Sequence, residues 1–211
     1  MKLKQILEKN AKWIALFICV VLIIAIVEDV LDKEIEKLDV AGYSIISKHL
    51  ISDKITPIAK TITQFGGATL LIIIATILLI LIKNKKTGIL IWINLIISTL
   101  LNQILKYIVQ RPRPIEFRII DESGYSFPSG HSMVSTAFYG FLIYLIYKNV
   151  KNKYLKYSLI VILSILIILI GTSRVYLGVH YTSDVLAGFL ISISYLIIFI
   201  TVTQAFEKTN N

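Results

Sequence analysis

The chain is nearly without cysteine. Cys19 is the only one, so no intramolecular disulfide can form and a multi-cysteine metal site is excluded. Acids are also scarce, 13 Asp and Glu against 22 Lys and Arg, and they form no carboxylate cluster of the kind a hard cation needs. Proline occurs four times, and Pro112, Pro114 and Pro128 fall close together. No internal repeat, low-complexity segment or Gly-rich nucleotide loop is present. Apolar sequence is in excess: 56% of the 211 residues are hydrophobic and the mean hydropathy is +0.77. A soluble domain of this size would not carry so much. The expectation is one all-α, polytopic membrane domain over residues 1–211.

Six apolar stretches are visible, at about Trp13–Val27, Phe65–Ile82, Gly88–Leu105, Met133–Tyr147, Tyr157–Gly171 and Val185–Val202. Several are short against the ~20 residues that span a bilayer, but snorkelling lysines and extended helix ends lengthen each one. Unbroken runs favour helices over barrel strands, which would alternate. Six transmembrane helices are therefore predicted. The first run has a basic leader but ends in Ala25-Ile26-Val27-Glu28, without the paired small residues of a cleavage site, so a retained helix is expected. Between Glu28 and about Thr56, Val30, Leu31, Ile35 and Leu38 fall at helical spacing, as do Ile45, Ile46, His49 and Leu50. Two short amphipathic helices at the outer interface are predicted; they are either a rim through which a lipid enters or a plain connector. His49 reads as polar surface.

The net charge of +9 raises nucleic acid as a partner, and its distribution answers the question. Lys2, Lys4, Lys9 and Lys12 precede the first run, Lys83, Lys85 and Lys86 separate the second and third, and Lys148, Lys151, Lys153 and Lys156 separate the fourth and fifth. Lysines in alternate loops place those loops and both termini in the cytoplasm. The connector after the first run holds Glu28, Asp29, Asp32, Glu34, Glu36, Asp39 and Asp53 and belongs outside. The lysines thus serve topology and anionic lipid, not nucleic acid.

Three segments remain on the outer face: Lys106–Pro114 (KYIVQRPRP), Pro128–His131 (PSGH) and Ser173–Asp184 (SRVYLGVHYTSD). Their cations, Lys106, Arg111, Arg113, Arg118 and Arg174, lie where the topology rule disfavours them, which suggests an anionic ligand. In PSGH, Ser129 can cap the following helix and Gly130 lets backbone approach closely at an N-terminus suited to phosphate. His131 follows in the first turn; by itself it reads equally as a membrane-edge histidine. His180 and Asp184 are four apart, so on a helix the carboxylate can orient the ring and leave the other nitrogen free to attack phosphorus. The competing reading is an Arg174–Asp184 salt bridge. Lys106 and Arg113 can reach a phosphate or merely touch headgroups, and Arg111 is an alternative frame because Arg-Pro occurs twice.

Taken together, K-x6-RP, PSGH and SR-x5-H-x3-D resemble the type 2 phosphatidic acid phosphatase superfamily, and the six-run layout extends the resemblance to nearly the whole chain. The resemblance implies a metal-independent lipid phosphatase with no cofactor. His180 would form a phosphohistidine, Asp184 would orient it, and His131 would protonate the leaving oxygen and then activate water. Lys106, Arg113, Arg174, Ser129 and Gly130 would hold the phosphoryl oxygens. The implied substrates are phosphatidylglycerophosphate, phosphatidic acid or undecaprenyl pyrophosphate, met at the outer face of the cell membrane. Phosphotransfer to an acceptor other than water uses the same residues and stays open. A non-enzymatic carrier is disfavoured, because a binding site needs neither a second histidine nor the His180–Asp184 pair.

Overall fold

The computed structural model describes residues 2–32 and 36–209, and every regular element among them is helical: α1 (Lys2–Asp32), α2 (Glu36–His49), α3 (Thr56–Gln64), α4 (Ala68–Leu81), α5 (Lys85–Val109), α6 (Gly130–Asn149), α7 (Lys153–Tyr176) and α8 (Thr182–Thr209). Local sequence explains several ends. Asn84 caps α5 by accepting from the Lys86 amide at 3.1 Å, and Asn152 caps α7 by accepting from the Leu155 amide at 3.1 Å. α5 stops at Gln110, in the left-handed region at φ 51°, just before the first Arg-Pro pair.

α6 lies at the centre, packed against α5, α7 and α8. Its Phe138, Tyr139 and Phe141 share a core with Leu71, Ala75, Ile91, Leu95, Ile170 and Phe199. α1 packs against α8, α4 against α5, α3 against α7, and α2 against both α7 and α8. Most large apolar side chains of α1 and α4 face outward, among them Phe17, Ile24, Ile80 and Leu81. That is the reverse of a soluble bundle and the pattern of helices solvated by lipid.

Among the described residues, four helices are long and apolar enough to cross a membrane, α1 from Asn10, α5, α7 and α8 to Glu207, and α3 with α4 supplies a fifth if that pair, bent by 47°, is one span. The protein is therefore multi-pass. α6 is not among them. Its Ser132, Ser135 and Thr136 are buried between neighbouring helices, which lowers its hydropathy without exposing polar groups to lipid.

The stretch anticipated as the second span, Phe65 to Ile82, is α4 entered through Phe65–Gly67, where the chain bends away from α3 and Gly66 abuts Ile170 and His131. Two other expectations change. The outer connector carries one helix, α2, where two were expected, because α1 runs on to Asp32; Lys33, Glu34 and Ile35 lie outside the described residues. α7 extends to Tyr176, so Ser173 and Arg174 sit on its last turn and not in the loop beyond.

Candidate active site

α5, α6, α7 and α8 each contribute at one end. Lys106 is on the last turn of α5, Ser129 caps α6, Arg174 closes α7, and Asp184 is in the first turn of α8. The loop 110–129 folds back over these ends with Arg113, Glu122 and Ser126. A cavity of about 680 Å3 is lined by Lys106, Arg113, Gly130, His131, Arg174 and His180, and it continues as an apolar groove along Leu71, Ile72, Trp92, Leu95 and Val134 of α4, α5 and α6.

His180 precedes α8, so it and Asp184 are not stacked on one helix face as the spacing suggested. They meet because Asp184, third residue of the helix, turns back over its N-terminus. Its Oδ2 accepts from the Tyr181 amide at 2.9 Å and lies 3.3 Å from His180 Nδ1. Ser126 Oγ donates to the same oxygen. On the far side of the ring, Arg113 Nη1 lies 3.1 Å from His180 Nε2. A guanidinium has no acceptor, so Nε2 accepts and the ring proton sits on Nδ1, facing Asp184. His180 is buried, and burial pushes its pKa down to about 4 against the upward pull of Asp184. The imidazole is thus neutral near pH 7, with its lone pair aimed at the cations.

Arg113 is held rigidly. It donates to the carbonyls of Gly124 at 3.0 Å, Val179 at 2.9 Å and Ser123 at 3.0 Å. Lys106 Nζ donates to the carbonyls of Tyr125 and, at 3.4 Å, Ser126. Arg174 is fully buried; Nη1 donates to Thr63 Oγ1 at 2.7 Å, Nη2 donates to Glu122, and Nε has no partner among the described residues. Ser129 Oγ accepts from the Ser132 amide at 3.4 Å and from Ser132 Oγ at 2.9 Å, as expected of a cap. An added Cβ on Gly130 would lie 3.0 Å from Asn102 Oδ1, so the residue's smallness leaves the helix N-terminus open to the cavity. His131 makes no hydrogen bond among the described residues and borders the cavity beside Gly66. All eight residues singled out from the sequence, His180, Asp184, His131, Lys106, Arg113, Ser129, Gly130 and Arg174, come together here.

The expected alternative, an Arg174–Asp184 salt bridge, is not formed. Arg174 pairs with Glu122, and Asp184 Oδ1 accepts from Arg111 Nη1 at 2.8 Å. Arg111 in turn bonds Ser183 Oγ at 2.7 Å and Asp39 Oδ2 at 2.6 Å, with its guanidinium 4.0 Å above the Tyr181 ring. It therefore lies on the Asp184 side of the histidine and does not line the cavity of Lys106, Arg113 and Arg174. Asp39, Glu122, Ser126 and Thr63 carried no signal in the sequence; each is a common polar residue outside any recurrent spacing. Arg118 bonds only the Pro114 carbonyl, and His49 only the Ile45 carbonyl, both at exposed positions. No group of three or more His, Cys, Asp or Glu placed to hold a metal occurs among the described residues.

An imidazole lone pair, a second histidine and three cations around one cavity can hold a phosphoryl group, attack it and move a proton. Residues 86–208 match the PAP2 superfamily. The chain is 31% identical over 151 residues to phosphatidylglycerophosphatase B of Bacillus subtilis, covering 70% of this chain and 73% of that one. It is 29% identical over 156 residues to an undecaprenyl-diphosphatase of Sulfolobus acidocaldarius, covering 70% and 71%. The crystal structure of the transmembrane PAP2-type phosphatidylglycerolphosphate phosphatase of B. subtilis superposes with a TM-score of 0.80 at 25% identity, over 90% of this chain and 96% of that one.

Proposed function

The chain belongs to the PAP2 superfamily, and on that premise we propose that it is a membrane lipid phosphatase acting through a phosphohistidine on His180. The observation that carries the proposal is the orientation of His180. One ring nitrogen faces Asp184 and the other faces Arg113, at the head of a groove whose far walls include Leu71, Trp92, Leu95 and Val134. A phosphate lodged among Lys106, Arg113 and Arg174 would leave its hydrocarbon chain along Leu71, Leu95 and Val134. The opening of that groove runs between α4, α5 and α6, and the lipid enters there on this reading; a second cavity, lined by Tyr43 and Ser47 of α2, also reaches Arg113 and His180.

In the first step the Nε2 lone pair attacks phosphorus and the bond to the lipid oxygen breaks, with His131 donating the proton that the leaving oxygen takes. Asp184 holds the Nδ1 proton while the ring becomes cationic. In the second step His131 removes a proton from water, the oxygen attacks phosphorus, and the phosphorus–nitrogen bond breaks to return His180 and release inorganic phosphate. Ser129 and the Gly130 amide add donors to the equatorial oxygens, so the protein's work is orientation and charge neutralisation. The histidine does the attacking, so the reaction needs no metal-activated water.

The substrate is the phosphomonoester or diphosphate of a membrane lipid; the B. subtilis relative supports phosphatidylglycerophosphate and the Sulfolobus relative undecaprenyl pyrophosphate. Six crossings, with α6 as the sixth, put the site at the outer face and both termini in the cytoplasm, as the lysine distribution requires. The test is phosphate release by the purified protein from these two lipids and phosphatidic acid, with and without chelator. Release from at least one, unaffected by chelator, is expected; release only with an added divalent ion would overturn the mechanism. Sidedness is read in a Cys19→Ser background. Cysteine at Ser123 should react with an impermeant thiol reagent in intact cells and cysteine at Lys151 should not; the reverse would invert the topology.

A further inference from the structure

The acids of the outer connector differ in one respect. Glu28, Asp29, Asp32 and Asp53 are exposed, whereas Asp39, on α2, is buried. Its Oδ1 accepts from the Ser183 amide at 2.9 Å, and its Oδ2 accepts from Arg111 Nη2 at 2.6 Å and from Ser183 Oγ at 3.1 Å. The other arm of the Arg111 fork reaches Asp184. Two carboxylates thus share one guanidinium, and one of them orients the histidine.

We propose that Asp39 is a positioning residue for the reaction: through Arg111 it fixes the carboxylate of Asp184, and so the ring of His180, in register with the phosphoryl group. The inference rests on the phosphohistidine reading above. Arg111 bound to Asp184 alone would draw its charge away from His180, which needs that charge as its ring becomes cationic. Asp39 holds the second arm and keeps the fork between the two acids. The hydrogen bonds among Asp39, Ser183, Arg111 and Asp184 also fix the first turn of α8 against α2. Close packing keeps α2 there: a Cβ on Gly42 would lie 2.9 Å from Thr182 Cβ, a contact that no rotamer change relieves. Asp39 lies before residues 86–208, the part that matches the family, so the matched core depends on a helix outside it.

The test compares Asp39→Asn, Gly42→Ala and, as a control for loss of an outer acid, Asp53→Asn, each assayed with lipid substrate beside His180→Ala. Asp39→Asn keeps the shape and the acceptor for the Ser183 amide and removes the charge. Its kcat should fall roughly 10- to 100-fold, the scale on which outer partners of a reacting group act, with KM changed by no more than about 2- to 3-fold. Gly42→Ala should show the same split, because it lifts α2 from α8 without altering any charge, and Asp53→Asn should match the parent. Parent kcat in Asp39→Asn, or a rise in KM that accounts for its loss, would overturn the proposal. If Asp39→Asn does not fold, Gly42→Ala decides: parent kcat in a folded Gly42→Ala overturns the proposal. Turnover by His180→Ala would instead remove the phosphohistidine reading, whereas an inactive His180→Ala beside a fully active Asp39→Asn removes only the role of Asp39.

Discussion

Behind His180 the two carboxylates are saturated. Asp184 accepts from Arg111, the Tyr181 amide, Ser126 and His180, and Asp39 uses both of its oxygens. In front of the ring the balance is reversed. Lys106 and Arg113 are held mostly by backbone carbonyls, Arg174 has an orphan Nε, and His131 has no hydrogen bond among the described residues. Buried polar groups normally find partners, so unmet donors around a cavity mark a place where a ligand supplies the acceptors. The rear fixes geometry in advance; the front awaits charge. Among the described residues, Glu122, against Arg174, is the carboxylate that lines the front, and it occupies a nitrogen that a phosphate oxygen would take.

Substitutions on the two sides should therefore fail differently. The largest effect is expected of the ring between them: His180→Ala should lose essentially all phosphate release, measured as inorganic phosphate per enzyme at saturating lipid. Next is Asp184→Asn, behind the ring. By analogy with the orienting acid of a Ser-His-Asp triad, whose loss leaves the wrong tautomer, kcat should fall by about 10³- to 10⁴-fold with KM little changed. At the front, His131→Ala should lose roughly 10²–10⁴-fold with an ordinary phosphomonoester and much less with an aryl phosphate, whose leaving group needs no proton. Equal losses with both substrates would take the acid role from His131. Arg174→Lys, which keeps the charge and removes the fork, should cost about 10²-fold in kcat/KM and weaken inhibition by vanadate; a change in kcat alone would move Arg174 to the rear set.

The residues tied to local spacing were readable in the sequence on both sides of the ring: Lys106 and Arg113 lie on either side of a helix end, Ser129 and Gly130 at a cap, and His180 and Asp184 around another. The rest of the rear was not, because Ser126 reaches Asp184, and Asp39 reaches it through Arg111, only by tertiary packing. Asp39 stood among the acids of the outer connector with nothing local to distinguish it. Arg111 was visible as half of a repeated Arg-Pro, but the choice between phosphate and carboxylate depends on where α2 docks. The helices themselves follow from apolar runs and caps. α6, anticipated as a crossing, is weaker in hydropathy than the other long helices because it carries Ser132, Ser135 and Thr136, which are buried among other helices. The bend between α3 and α4 at Phe65–Gly67 was not legible, since glycine permits a continuous helix as well as a bend.

The smallest effect concerns pH. With its pKa near 4, His180 stays deprotonated as pH falls through 6 and takes up a proton only near 4, so its limb in kcat/KM lies well below that of an ordinary histidine. Because Asp184 pulls that pKa upward, Asp184→Asn should move the limb further toward acid even as it slows turnover. A limb near 6.5 that persists once the lipid's own ionisation is divided out would mean that the ring is not buried as described.

The most direct measurement is to trap the covalent intermediate. The protein is mixed with lipid carrying a labelled terminal phosphate, quenched in alkali within a turnover and digested. Label stable to alkali, lost in acid and located on His180, and missing from His180→Ala, is the predicted result. Turnover without protein-bound label, or label that persists in His180→Ala, would contradict the account.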